Sequence, residues 1–349
     1  MSSPSTLHLW IARRRISEQD KPMPSVTAAR FDSSGPALAL DVGGTKLAAA
    51  LVAADGTILA SDRTPTPAGP GIDGSVIWAA VTELLDRLYA AAGSPAIAGV
   101  GVGCGGPMVW PAGEVSPLNI PAWRGFPLRA HLAARYPGIP VRLHNDAKCM
   151  VIAEHWLGAG VGHQSLLGIV VSTGVGGGVI LGGRVFDGIS GNAGHVGHIV
   201  VEPDGVPCGC GGRGCLEAVA RGPAIAEWAT ERGWVPSRGD LGATAEALTI
   251  DARAGDQVAL EALRRAGTGL GIGIASALAT LDVELVVLGG GVSQAGALLY
   301  GPMHEALRHY ASLGFTRSVP VAAAAFGPQA GVIGAAALVH QGAAYWSAD

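Results

Sequence analysis

The sequence predicts an α/β protein of two lobes facing a common cleft. Three observations carry that expectation. Two similar strand–glycine turn–strand segments lie at residues 37–52 and 170–180, a third glycine cluster at 288–293 follows an apolar strand, and the chain has 54 glycines with only 5% aromatic residues. Small-residue cores and abundant glycine turns suit sheets whose backbone must approach a phosphate closely. The 349 residues suffice for two lobes, each with its own core.

Residues 1–36 read differently from the body. They hold a basic triplet, Arg13-Arg14-Arg15, mixed Ser and Pro, and no apolar period, so a disordered N-terminal extension is expected. The apolar stretch Leu7 to Ala12 is too short for a secretory signal and precedes the arginines rather than following them. With net charge −4 and no other basic run, neither nucleic acid nor an anionic membrane is an expected partner. The longest apolar candidate, Gly267 to Leu281, is short and interrupted by glycine, and reads as a buried helix instead of a membrane span. Its G-x-G-x-G spacing is no dinucleotide fingerprint, because no strand precedes it. Five cysteines, an odd count, argue against a secreted disulfide framework and for the cytoplasm.

The body opens with a strand, Ala37 to Asp41, a turn through Val42-Gly43-Gly44-Thr45-Lys46, a strand to Val52 and a third near Thr57 to Ser61. Asp55-Gly56 is a hairpin turn signal. Gly43 and Gly44 would let backbone N–H groups reach phosphate oxygens, and Asp41 could hold Mg²⁺ through water. The segment lacks the spacing of a P-loop and opens a strand, not a helix; taken alone it could be a plain β-turn. The second segment repeats the design with Thr173, Gly174 and Gly176, and the third supplies Gly289, Gly290 and Gly291 after the strand Glu284 to Leu288. Three glycine motifs in this order are hard to explain as loops alone.

His144-Asn145-Asp146 lies where an apolar-alternating strand, Ile139 to Leu143, meets a helical period, Ala147 to Leu157. A carboxylate at such a junction can accept a proton from an attacking hydroxyl. It can equally be a helix cap with no chemical role. Further on, His198, Cys208, Cys210 and Cys215 follow the spacing H-x9-C-x-C-x4-C. Four soft or borderline ligands in one loop suit a closed tetrahedral zinc site, although the spacing is not that of a zinc finger. Three buried thiols beside an unrelated histidine, or a Cys208–Cys210 redox pair, are the alternatives.

The run from Gly194 to His198, followed by CGCGGRGCLE from Cys208 to Glu217, resembles the signature of the ROK sugar kinases and repressors. The resemblance extends from Ala37 to His340. It implies an actin-like ATPase (ribonuclease H-like) fold of the actin/hexokinase superfamily with a zinc-binding loop. On that reading residues 37–144 form the small lobe, joined by a returning C-terminal helix at 329–341, and residues 145–328 form the large lobe with the zinc loop at 198–217. It also implies Mg-ATP as phosphoryl donor, a structural zinc, a sugar or sugar-like substrate, and a homodimer or homotetramer. Asp146 becomes the general base for transfer to the 6-hydroxyl of a hexose. Gly106 in the Gly105-Gly106-Pro107 turn, Asn119, Asn145, His195, His198 and Glu217 become sugar contacts, with Trp123 packing its loop. The third glycine cluster would lie against adenosine. ROK repressors carry a winged helix-turn-helix ahead of this body, and some 36 irregular residues cannot hold one.

One position departs from the family pattern: His195 stands where most hexose kinases of the family have Glu. A carboxylate accepts two hydroxyl hydrogen bonds, whereas neutral imidazole offers one donor and one acceptor. A site built for particular hydroxyls rejects analogues lacking them. The expected substrate therefore widens from glucose to an amino, N-acetylated or deoxy hexose, or to a C7-cyclitol of natural-product biosynthesis. A non-catalytic sugar-sensing ROK protein is the reading of a different class; intact Asp41, Asp146 and both hairpins speak against it.

Overall fold

The computed structural model describes residues 29–348. Two five-stranded sheets carry the same strand arrangement. In the first, β1 (Ala37–Val42), β2 (Lys46–Val52), β3 (Ile58–Pro65), β4 (Gly99–Cys104) and β7 (Val141–Asn145) lie in the order β3-β2-β1-β4-β7; a ribbon of β5 (Met108–Val109) and β6 (Glu114–Val115) sits between β4 and β7 in sequence. In the second, β8 (Leu166–Val171), β9 (Val175–Leu181), β10 (Arg184–Val185), β11 (Leu285–Gly289) and β12 (Val321–Ala323) lie in the order β10-β9-β8-β11-β12. Each sheet begins with an antiparallel hairpin, β1–β2 or β8–β9, and continues with two parallel pairings, β1–β4–β7 or β8–β11–β12.

The alternation of side chains along these strands decides what each face meets. On β1, Leu38, Leu40 and Val42 enter a core completed by α1 (Gly74–Ala91) and α2 (Leu128–Arg135), through Ile77, Val81, Leu84, Leu85, Leu88, Leu128 and Leu132. The apolar residues of α1 recur at helical spacing, and Asp73 caps it by accepting a hydrogen bond from Ser75 N at 2.7 Å. On β8, Leu167, Ile169 and Val171 face the core of the large lobe, which is filled by α4 (Leu216–Ala220), α5 (Gly222–Thr230), α6 (Ala245–Arg253), α7 (Gln257–Leu281) and α8 (Ala297–Tyr310). α7 starts ten residues earlier than the sequence expectation of 267–281, because Asp256 caps it by accepting from Ala259 N at 2.8 Å.

The opposite faces of both sheets share one middle layer. Ala37, Ala39 and Ala50 from the first sheet, and Leu166, Leu285 and Val287 from the second, pack on α3 (Asp146–Leu157) and α10 (Ala330–His340). The helices meet almost backbone to backbone: a Cβ on Gly334 would overlap the carbonyl of Cys149, and one on Gly101 of β4 would overlap the carbonyl of Ala335. Arg142 Nη1 donates to the free carbonyl of Leu338 at 2.9 Å near the end of α10, tying β7 to it. Two short helices, α9 (Gly314–Arg317) and α11 (Gly342–Tyr345), follow α8 and α10 in the chain. Residues 1–28 of the expected extension lie outside the described residues. Residues nearer the body are paired, with Ile97 N donating to Arg30 O at 2.8 Å and Asp32 N to Ile97 O at 3.0 Å.

Gly334→Ala is expected to destabilise the protein by about 2 kcal/mol or more, since overpacking against backbone cannot be relieved by a rotamer change. Gly301→Ala, on α8 with nothing within 4 Å of the added methyl, is expected to stabilise it by about 0.5–1 kcal/mol. Urea unfolding of the two variants beside the wild type measures both.

Candidate functional site

Four segments converge where the middle layer meets the ends of β1 and β7. Asp41 is the penultimate residue of β1, and the start of α10 passes over it so closely that a Cβ on Gly331 would lie 2.5 Å from Asp41 Oδ2. Asp146 is the first residue of α3. Asn145, not Asp146, caps that helix: its Oδ1 accepts from Ala147 N at 3.0 Å. Asp146 Oδ1 accepts from the same N–H at 2.8 Å, so Oδ2 is left to point elsewhere. A Cβ on Gly105 would sit 3.3 Å from Asn119 Oδ1 and 4.0 Å from Asp146 Oδ2, while one on Gly106 would sit 3.2 Å from Asn145 Nδ2 and 3.5 Å from His195 Cε1. Asn119 also fills the space above Gly44, 2.8 Å from a Cβ there. The sequence-expected residues Gly106, Asn119, Asn145, Asp146 and His195 are thus neighbours, with the first glycine turn beside them.

The electrostatics are those of two carboxylates withdrawn from water. Burial, the Asp146 charge next, and against them Lys46, set Asp41 at about 7. Burial raises Asp146 above the usual carboxylate range despite the Ala147 N–H. Behind them, Cys104 and Cys149 are buried thiols that burial and these same carboxylates push well up, so they stay protonated and serve as packing. Burial, with His198 next, lowers His195, which therefore presents a neutral imidazole; its ring stacks on that of His198 at 6.1 Å between centroids.

The first hairpin is braced by Thr66, whose Oγ1 donates to Gly43 O at 2.6 Å and whose N donates to Thr45 O at 3.0 Å. In the second hairpin Ser172 N donates to Gly174 O at 2.8 Å, with Thr173 exposed at its tip. Gly176 touches α3, where a Cβ would lie 2.7 Å from Ala147 Cβ. The third glycine cluster lies beside this hairpin. Gly290, at φ +96°, sits where any side chain would strike the carbonyl of Val171, and Gly291 faces Ser172. Glu217 joins the hairpin to the cysteine loop: it stands in the first turn of α4, and its Oε2 accepts from Val175 N at 2.9 Å. Trp123 is fully buried, stacked on Phe126 at 4.3 Å, and donates to Gly74 O; it packs its loop.

In the cysteine loop, His198 Nδ1 lies 3.8 Å from Cys208 Sγ, Cys210 Sγ lies 3.8 Å from Cys215 Sγ, and all four ligand atoms fall within 4.8 Å of one another. A tetrahedron with metal–sulfur bonds of about 2.3 Å has edges of about 3.8 Å. The donor set and its spacing therefore fit a closed tetrahedral cation. Burial, then hydrogen bonding with Cys208 and Cys210, pushes Cys215 up to about 12, and a divalent cation among the sulfurs would remove that opposition to ionisation. The loop is fastened by Leu216 N donating to Ile199 O at 2.8 Å and by a bidentate pair of Arg265 with Glu202.

The sequence reading passed over a buried polar group beside the site. Lys148, on α3, is 1% exposed; its Nζ donates to Asp187 Oδ1 at 3.1 Å and to Gly191 O at 2.9 Å. His144 Nε2 lies 3.4 Å from the same carboxylate oxygen. Asn192 exchanges hydrogen bonds with the backbone of Met108, across the lobes. A single lysine among apolar residues in 147–153 was the available signal.

Paired glycine hairpins on twin sheets, with carboxylates at the cleft between them, define an actin-like ATPase fold. The chain belongs to the ROK family, whose model matches residues 37–342. It is 34% identical to a glucokinase of Thermotoga maritima over 87% of this chain and 97% of that protein. It is 38% identical to an N-acetylmannosamine kinase of Escherichia coli, over 87% and 98% respectively. Among solved structures, a ROK family glucokinase from Streptomyces griseus in complex with glucose and AMPPNP is similar at TM-score 0.76 and 32% identity, covering 88% of this chain and all of that one. No helix among the described residues is long and apolar enough to cross a membrane.

The raised Asp41 makes a signed prediction. The folded protein holds that proton more tightly than the unfolded chain, so the associated stability is complete below about 3.8 and is lost as pH rises through about 7. In Mg²⁺-free buffer Asp41→Asn should raise Tm above wild type at pH 8 and leave it nearly unchanged near pH 4. Differential scanning fluorimetry at the two pH values reads the difference.

Proposed function

We propose that the chain is an ATP-dependent sugar kinase that transfers the γ-phosphate to the primary 6-hydroxyl of a hexose, glucose or a modified hexose, with Asp146 as general base. The observation that carries this reading is the placement of Asp146. Its unengaged oxygen lies 4.0 Å from where a Cβ on Gly105 would sit, beside the cluster of Gly106, Asn119, Asn145 and His195, and Asn119 of that cluster also packs on Gly44 of the first glycine turn. An acceptor hydroxyl bound by that cluster would lie within reach of a carboxylate. As its oxygen bonds to the γ-phosphorus, its proton passes to Asp146 and the bridging oxygen leaves with ADP. A raised carboxylate is a better proton acceptor for this step than an ordinary one, provided the pH exceeds its value. Mg²⁺ would neutralise charge on the β and γ phosphates, with Asp41 as the residue to hold it. Gly43, Gly44, Thr45 and Lys46, and Thr173, Gly174 and Gly176, would offer backbone N–H groups and side chains to the phosphates; Gly289, Gly290 and Gly291 would lie beside the nucleoside.

Zinc is the proposed occupant of His198, Cys208, Cys210 and Cys215. With Nδ1 toward Cys208, His198 would retain Nε2 for a sugar hydroxyl. Four protein ligands leave no open position, so the role is structural. Glu217 would add a contact near the anomeric carbon, its second oxygen being held by Val175 N.

His195 favours a second form of the same reading. A neutral imidazole beside Gly106 accepts one hydrogen bond and donates one. An amino, N-acetylated or deoxy hexose, or a C7-cyclitol, offers that pattern in place of two hydroxyl donors. Its similarity to both a glucokinase and an N-acetylmannosamine kinase leaves either form open to the same assay.

ADP release with Mg-ATP is to be measured against glucose, mannose, N-acetylglucosamine, N-acetylmannosamine, 3-amino-3-deoxyglucose and a valiolone-type cyclitol. Turnover of at least one is expected, and turnover of none, while one still binds, would sink the kinase reading. Asp146→Asn should lower kcat by about 100- to 10,000-fold with sugar affinity by calorimetry nearly unchanged. Metal analysis of the purified protein should find zinc in a one-to-one ratio, and Cys210→Ser should lose the zinc together with several degrees of Tm. Full thermal stability without the metal would show that the loop is not organised by it.

A further inference from the structure

Lys148 has no place in the chemistry above, yet it is one of only three lysines in the chain and lies buried two residues beyond the proposed base. An ammonium with no water around it is retained only where strong partners surround it. Its partners all come from one segment. Asp187 Oδ1 is 3.1 Å from Nζ and Gly191 O is 2.9 Å, so the ammonium grips the loop 187–191 at both ends. The carboxylate is shared with His144 Nε2 at 3.4 Å, and Asp187 Oδ2 accepts from Ser347 Oγ at 3.3 Å. Immediately after Gly191, Asn192 clasps Met108 N and O at 3.1 and 3.0 Å, and three residues later His195 reaches Gly106. Gly194, at φ +95°, passes against Gly178 of β9, so the backbone between clasp and imidazole has no slack to absorb a shift.

We propose that Lys148 is a positioning residue for the sugar side of the cleft: through Asp187 and Gly191 it latches the segment 187–195 to α3, and so sets where His195 stands relative to Gly106 and Asn145. The inference rests on the reading of that cluster as the acceptor site. Lys148 does not touch the acceptor; it acts through the loop. The nucleotide side is built from other segments, the turns at 43–46 and 172–174 and the cluster at 289–291, none of which Lys148 contacts by hydrogen bond.

The test separates positioning from charge compensation. Lys148→Met leaves Asp187 buried without its partner, which destabilises the fold by itself. The double variant Lys148→Met with Asp187→Asn removes both charges at nearly constant volume and is expected to recover most of the lost Tm. If Lys148 positions the loop, the double variant keeps a KM for the accepted sugar raised about tenfold or more, with KM for Mg-ATP unchanged. Amide exchange across 187–195 should also be faster than in wild type, with protection in α7 retained. A double variant with wild-type sugar KM and wild-type exchange would overturn the proposal and leave Lys148 a mere counter-charge. The exchange measurement decides the latch even if the wild type phosphorylates none of the sugars tried, an outcome that would count against the kinase reading and not against the latch.

Discussion

The close crossing of α3 and α10 between the two sheets is the constraint on which the site depends. Both helices present small residues or bare backbone at the contact, so their separation is fixed by main-chain atoms and not by side chains that could repack. α3 opens with Asp146, and α10 begins over Asp41. The crossing therefore brings Asp146, on α3, and Asp41, on β1 beneath α10, to the same end of the middle layer. Burial is what disfavours both carboxylates as ions, and at Asp41 the start of α10 contributes to it.

A second layer of organisation runs through the cysteine loop. Glu217 is attached by sequence to Cys215 and by hydrogen bond to Val175, while His198 stacks on His195. One loop thereby touches both the second glycine turn and, through His195, the cluster around Gly106. A tetrahedral cation at its centre would stiffen both at once. That arrangement suits a metal with a structural and not a chemical task.

Much of this was legible in the sequence because the governing signals are local. Glycine pairs between apolar strands announce hairpins, and the change from period two to helical period at Asn145 locates Asp146 on a strand-to-helix junction. Either Asn145 or Asp146 could have capped the helix, and it is Asn145 that takes the N-cap. α7 begins before the apolar run at 267–281 because Glu261, Arg264 and Arg265 break that run while Ala259, Ala262, Leu263 and Ala266 already face the core. Lys148 stands out as a lone lysine among apolar residues, but its partners could not be read, since they are 39 and 43 positions away. Long-range polar pairs leave no periodicity behind them.

The position of α10 in the chain has a consequence for how the protein comes into being. The helix that completes the middle layer beside α3 is encoded at residues 330–340, after every strand of both sheets. During synthesis the apolar faces of β1, β8 and β11 emerge before this second covering helix, with α3 alone available to the shared layer. A chain cut before Ala330 would lack one of the two helices in the layer that both sheets share. The helix that joins the two sheets is thus made after both of them.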